Sequence, residues 1–143
     1  RPNLVIIAET TEGAWFGVTL AKQMTMLDSP MKDENITCFV YTPSNEDEEE
    51  TYQRFPLKEE QKRSVYIKVL SKSSSGFLNV ASDCAGQLWM GMEQSNSYCK
   101  NLSSVFEGMT DDKCLTGHDG QKQEDFYHCR NVFAFNFVET REC

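Results

Sequence analysis

Along most of this chain the apolar residues recur at every second position, and that period restricts the fold more than any other feature. Ser64–Leu70 (SVYIKVL) sets Val65, Ile67 and Val69 against Tyr66 and Lys68. Trp15–Gln23 sets Phe16, Val18 and Leu20 against Trp15, Gly17 and Thr19, and Asn131–Val138 sets Phe133, Phe135 and Phe137 against Val132, Ala134 and Asn136. Successive side chains of a strand point to opposite faces, so this alternation predicts half-buried strands. Asn3–Glu9 (NLVIIAE) is an apolar run bounded by polar residues, Asn35–Tyr41 (NITCFVY) is β-branched and aromatic, and Phe77–Ser82 and Gln87–Met92 are shorter strand candidates. Only Tyr98–Met109 reads as helical, with Tyr98, Leu102, Val105, Phe106 and Met109 along one side. Many short half-apolar strands bury their apolar sides by stacking two sheets, so the expectation is all-β: a two-sheet β-sandwich with a short helix and disulfide bonds. Phe133, Phe135 and Phe137 are expected to face its core.

The 143 residues suit one domain spanning 1–143. Six cysteines are dispersed along it (Cys38, Cys84, Cys99, Cys114, Cys129 and Cys143), an even number with no C-x-x-C pair of the kind that marks zinc or redox sites. Two N-glycosylation sequons accompany them, Asn35-Ile36-Thr37 and Asn101-Leu102-Ser103. Together these features point to an oxidising, extracellular setting, so the chain is expected to be secreted with its cysteines cross-linked in pairs that sequence cannot assign. Cys129 and Cys143 would tie down both ends of the last strand. No leader is visible at Arg1-Pro2-Asn3, and no apolar run is long enough to span a membrane.

Charge is unevenly placed. The formal net charge is −8, and between Met31 and Glu60 nine acidic residues stand against three basic ones. Five of the acids are consecutive: Glu46, Asp47, Glu48, Glu49 and Glu50. Such a surface repels phosphate backbones and anionic membranes and attracts basic proteins. The run lacks the alternating ligands and central glycine of an EF-hand calcium loop. It reads either as a solvated loop or as an element that recognises a basic partner. Chemistry is poorly provided for: there are two histidines, His118 and His128, and no G-x-S-x-G elbow. A zinc site from Cys114, His118, His128 and Cys129 would remove two cysteines from an even disulfide set. Met90 and Met92 read as core filling before they read as an adaptable surface. The expectation is no enzyme activity and no cofactor.

Several stretches then combine: VTLAKQ (Val18–Gln23), Ile36-Thr37-Cys38, the acidic run Glu46–Glu50, FLNVASDC (Phe77–Cys84) and a closing C-R-N-x-x-x-F-x-F-x-x-x-x-x-C from Cys129 to Cys143. This pattern resembles the poxvirus immune-evasion domain family, which includes secreted viral chemokine-binding proteins and the C-terminal chemokine-binding (SECRET) domain of poxviral decoy TNF receptors. The resemblance implies a β-sandwich that is not an enzyme and that binds host immune proteins, commonly chemokines, through one sheet face helped by an acidic loop. In this chain the implied binding residues are Glu46 to Glu50, with Tyr66 and Lys68 on an exposed sheet face. The length and the Arg1-Pro2 start would suit a domain cut from a longer receptor. Some relatives bind MHC class I or other cytokines. A lipocalin-like carrier of a small ligand is the rival expectation, on Gly13-Ala14-Trp15 and the secreted β-rich character; it requires a closed barrel with a cavity.

Overall fold

The computed structural model describes residues 3–24, 26–71, 76–82, 86–91, 97–109, 115 and 124–136, and of 124–126 the backbone alone. The alternating segments form strands: β1 (Leu4–Thr10), β2 (Trp15–Leu20), β3 (Met31–Lys32), β4 (Thr37–Thr42), β5 (Thr51–Pro56), β6 (Tyr66–Val69), β7 (Gly76–Ala81), β8 (Gln87–Gly91), β9 (Ser97–Lys100), β10 (Glu124–Tyr127) and β11 (Cys129–Asn136). They divide into a five-stranded sheet, β11-β1-β2-β4-β5, and a six-stranded sheet, β10-β9-β8-β7-β6-β3. The expected all-β, two-sheet architecture is what the chain adopts.

Alternation decides the core. Leu4, Ile6 and Ala8 of β1, Phe16, Val18 and Leu20 of β2, Cys38 of β4 and Phe55 of β5 are buried from the first sheet. Ile67, Leu78, Val80, Leu88, Met90, Cys99 and Tyr127 join them from the second in one cluster. Each large side chain withdrawn from water contributes about 1.5–3 kcal/mol. Phe16 meets Tyr127 edge-on, ring centroids 5.2 Å apart, which ties the sheets together. The buried Tyr127 hydroxyl donates to the Trp89 carbonyl at 2.8 Å. Burial, and then the neighbouring Cys99, Cys129 and Cys38, hold its pKa well above the ordinary phenol value.

Asp33 shapes the chain before β4. Fully buried, its carboxylate accepts the backbone N–H groups of Ala21, Lys22 and Asn35, each at 2.8 Å. One side chain thereby fixes the exit from β2 and the entry to β4.

Two sequence expectations are corrected. Tyr98–Met109 is not a helix: β9 covers Ser97–Lys100, Asn101 is left-handed at φ 52°, and a 3-10 turn spans Leu102–Ser104. Leu102, Val105, Phe106 and Met109 are buried as their spacing suggested. They are delivered by a turn that lays Phe106 against Leu57 in an antiparallel bridge. Phe133 and Phe135 do not enter the core. They pair with Ile7 and Val5, the outward residues of β1, while Val132 and Ala134 pair with the inward Ala8 and Ile6. Phe137 lies outside the described residues, as does Met92.

Candidate functional site

Paired residues on neighbouring strands share a face, so the register writes out the exposed side of the first sheet in rows. One row runs Asn131, Glu9, Trp15, Tyr41, Tyr52; the next runs Phe133, Ile7, Gly17, Phe39, Arg54; a third runs Phe135, Val5, Thr19, Thr37, Pro56. The first two rows hold five aromatic residues: Trp15, Tyr41, Tyr52, Phe133 and Phe39. Trp15 and Phe133 stack across β1 with centroids 6.3 Å apart and planes 9° from parallel. Phe39 lies over Gly17: a Cβ there would come within 2.6 Å of the Phe39 ring and 2.0 Å of the Ile6 carbonyl oxygen. Only glycine lets the ring lie so close to the sheet, and Phe39 is consequently buried. Tyr52 leans on it at 5.5 Å. Tyr52, Phe133 and Phe135 remain 55%, 40% and 49% exposed. Solvent-facing aromatics gathered on one sheet face mark an interaction surface more than scattered ones do.

The acidic run sits at one end of this face, in the β4–β5 connection. Asn45 organises it: its side-chain oxygen accepts the N–H groups of Asp47 and Glu48 at 2.9 and 2.8 Å, and its own N–H donates to the Glu48 carbonyl at 2.9 Å. Glu46 to Glu50 are exposed throughout. The Tyr41 hydroxyl donates to Glu50 at 3.1 Å, and this hydrogen bond raises the Tyr41 pKa above its usual value. Trp15, Tyr41, Pro43, Thr51 and Tyr52 help line an open cavity of about 610 Å³ beside the loop.

Tyr66 and Lys68 are elsewhere. They lie on the outer face of the second sheet, in rows with Lys32, Ala81 and Asn79. This face mixes the half-buried aromatics Tyr66, Trp89 and Tyr98 with polar side chains that bond one another: Gln87 donates to Asn79 at 2.8 Å and Tyr98 donates to Gln87 at 3.0 Å. Lys32 and Lys68 line a shallow depression of about 350 Å³ with Pro30, Tyr66 and Asn79. The structure therefore keeps the acidic run and the Tyr66–Lys68 pair on opposite sheets. The residues it gathers next to the acids are Trp15, Phe39, Tyr41 and Tyr52, with Phe133 and Phe135 completing the face. Their signal in the sequence was an aromatic residue on the phase of each strand that should have been polar.

Asn35 and Asn101 are both exposed. Cys38 and Cys99 are buried on the inner faces, Cys129 is half-buried, and no cross-link joins Cys38 or Cys129 to another described residue. Burial raises the pKa of both of those thiols. Cys84, Cys114, Cys143 and His118 lie outside the described residues. Among the described residues no three His, Cys, Asp or Glu side chains converge as metal ligands, and no helix is long and apolar enough to cross a membrane. Comparison with known proteins finds no match to any family model, curated protein or solved structure.

Proposed function

We propose that this chain is a secreted binding module that captures a basic host protein, of the chemokine type, on the outer face of its first sheet. The observation that carries this reading is the meeting of two features on the β4–β5 hairpin: five consecutive acids in the connection, and the aromatic row Trp15–Tyr41–Tyr52 in the strands beneath it. The acids attract a basic partner over long range and raise its on-rate. Lasting affinity comes from the desolvated aromatics, because exposed ion pairs contribute little each. Covering the partner's basic surface would block its other contacts, which makes the module a decoy and not an enzyme.

The lysine-bearing face of the second sheet suits this partner poorly, since it presents like charge. A lipocalin-type carrier is supported less well: the strands divide between two sheets, and buried side chains fill the space between them. The six cysteines and two sequons are the grounds for secretion, for disulfide bonding and for glycan attachment.

The test is surface plasmon resonance of the secreted protein against a broad chemokine panel at about 50 and 300 mM salt, which spans Debye lengths on either side of ~8–10 Å. Nanomolar binding to a subset, with association slowed by salt, is expected. Silence across the panel would overturn the chemokine reading and turn attention to MHC class I and other cytokines.

A further inference from the structure

The third row of the aromatic face ends in a groove that the binding reading leaves unused. It has a volume of about 550 Å³ and is lined by Asn35 together with Thr19, Thr37, Arg54, Pro56 and Lys62. Asn35 is the acceptor of the first sequon, and it is held in place. Its backbone N–H is bound by the buried Asp33 carboxylate at 2.8 Å, and its carbonyl accepts the Thr37 hydroxyl at 3.3 Å. The side chain itself is exposed. The groove offers what a 2-acetamido sugar needs: cationic donors from Arg54 and Lys62 for its oxygens, and the ring of Pro56 for its acetamido methyl group. Lys62 is already oriented by an ion pair with Glu59 at 2.9 Å.

We propose that Asn35 carries an N-linked glycan whose first N-acetylglucosamine lies in the Thr19–Thr37–Arg54–Pro56–Lys62 groove. The inference rests on the secretion part of the reading above and not on the identity of the bound protein. It has a geometric consequence. The groove occupies the end of the first sheet where β4 begins and β5 finishes, whereas the acidic loop leaves from the end where β4 finishes and β5 begins. Thr19 and Thr37 are already buried, so a sugar seated there covers the exposed Arg54 and Pro56 beside them and leaves Trp15, Tyr41 and Tyr52 open. The glycan therefore confines any partner on this face to its acidic end.

The experiment uses the full chain secreted from animal cells with high-mannose glycans, in a Ser103→Ala background so that Asn101 is not a sequon. Glycopeptide mass spectrometry should find Asn35 occupied. Three forms are then melted: the intact glycoform, a form trimmed enzymatically to one N-acetylglucosamine, and Asn35→Gln. The trimmed form should melt with the intact one, and Asn35→Gln about 2–4 °C lower, the shift that a contact of ordinary strength produces in a domain of this size. Arg54→Ala should lower the melting of the trimmed form but leave Asn35→Gln unmoved, because the contact it removes is already gone. An unoccupied Asn35 in protein that is secreted and folded would overturn the inference while leaving the chemokine test untouched. Equal melting of all three forms, or an Arg54→Ala effect independent of the sugar, would overturn the seating in the groove. Failure to be secreted would overturn this inference and the extracellular reading together.

Discussion

Asp33 and Gly17 show how single residues set this fold. Asp33 binds three backbone N–H groups from two connections while itself shut off from water. Asp33→Ala leaves those donors without their acceptor. A hydrogen bond to a charged acceptor contributes about 1.5–3 kcal/mol, so loss of three is expected to cost about 3 kcal/mol or more in urea unfolding, with the midpoint falling and the slope unchanged. Recovery of near-parental stability in the variant would mean that water reaches the site freely. Gly17→Ala acts in the opposite manner, by adding an atom where the Phe39 ring and the Ile6 carbonyl oxygen already stand. Overpacking of this kind costs about 1–3 kcal/mol. It should also displace Phe39 and Tyr52 and thereby weaken partner binding beyond what the loss of stability explains. Neither role was legible beforehand: Asp33 read as one acid among nine, and Gly17 as a small residue on the outer phase of a strand.

Among the elements, those with clear alternation or a compact apolar run were legible and those with neither were not. β6 announced itself because Ile67 and Val69 alternate with polar residues, and β1 because it is a short apolar run between polar residues. β5 (TYQRFP) did not, because all of it except Phe55 is exposed and no buried phase repeats. β9 was hidden inside a segment whose apolar residues after Asn101 fit a helical spacing but serve a turn. β11 was found, but its facing was inverted: alternation separates two phases without saying which is inside, and its partner β1 decides. The acidic connection between β4 and β5 is the element that can be tested directly. Replacing Glu46–Glu50 by Ser and Gln should slow association several-fold at about 50 mM salt and converge with the parent near 300 mM, with dissociation little changed. An on-rate indifferent to the change at low salt would show that the loop is only solvated.

At the scale of the molecule, the two sheets present unlike outer faces: one carries the exposed aromatics Tyr52, Phe133 and Phe135 and is bordered by acids, the other sets the half-buried Tyr66, Trp89 and Tyr98 among Lys32, Lys68 and Asn79. The expected binding residues therefore part company in position, Glu46–Glu50 at the edge of the first sheet and Tyr66 and Lys68 on the second. Tyr52→Ala and Phe133→Ala should weaken partner binding by about tenfold or more, the loss typical of a central aromatic contact. Their partial exposure should keep the stability cost small. Tyr66→Ala and Lys68→Ala should change affinity by less than about twofold, since exposed contacts remote from an interface are near neutral. The reverse ranking, read by the same resonance measurement, would move the site to the second sheet.

The amino-acid sequence by itself determined that the chain is built of strands, that two sheets are needed to bury them, and that a dense negative charge stands between the third and fourth long apolar segments. Those properties are local, written in side-chain period and composition. Only the tertiary structure decided that Phe133 and Phe135 face water, that Tyr66 and Lys68 stand away from the acids, and that Trp15, Tyr41 and Tyr52 form one row. Each of these depends on register between strands distant in sequence. Register is fixed by which pairings bury the larger apolar set, a comparison that no single segment contains.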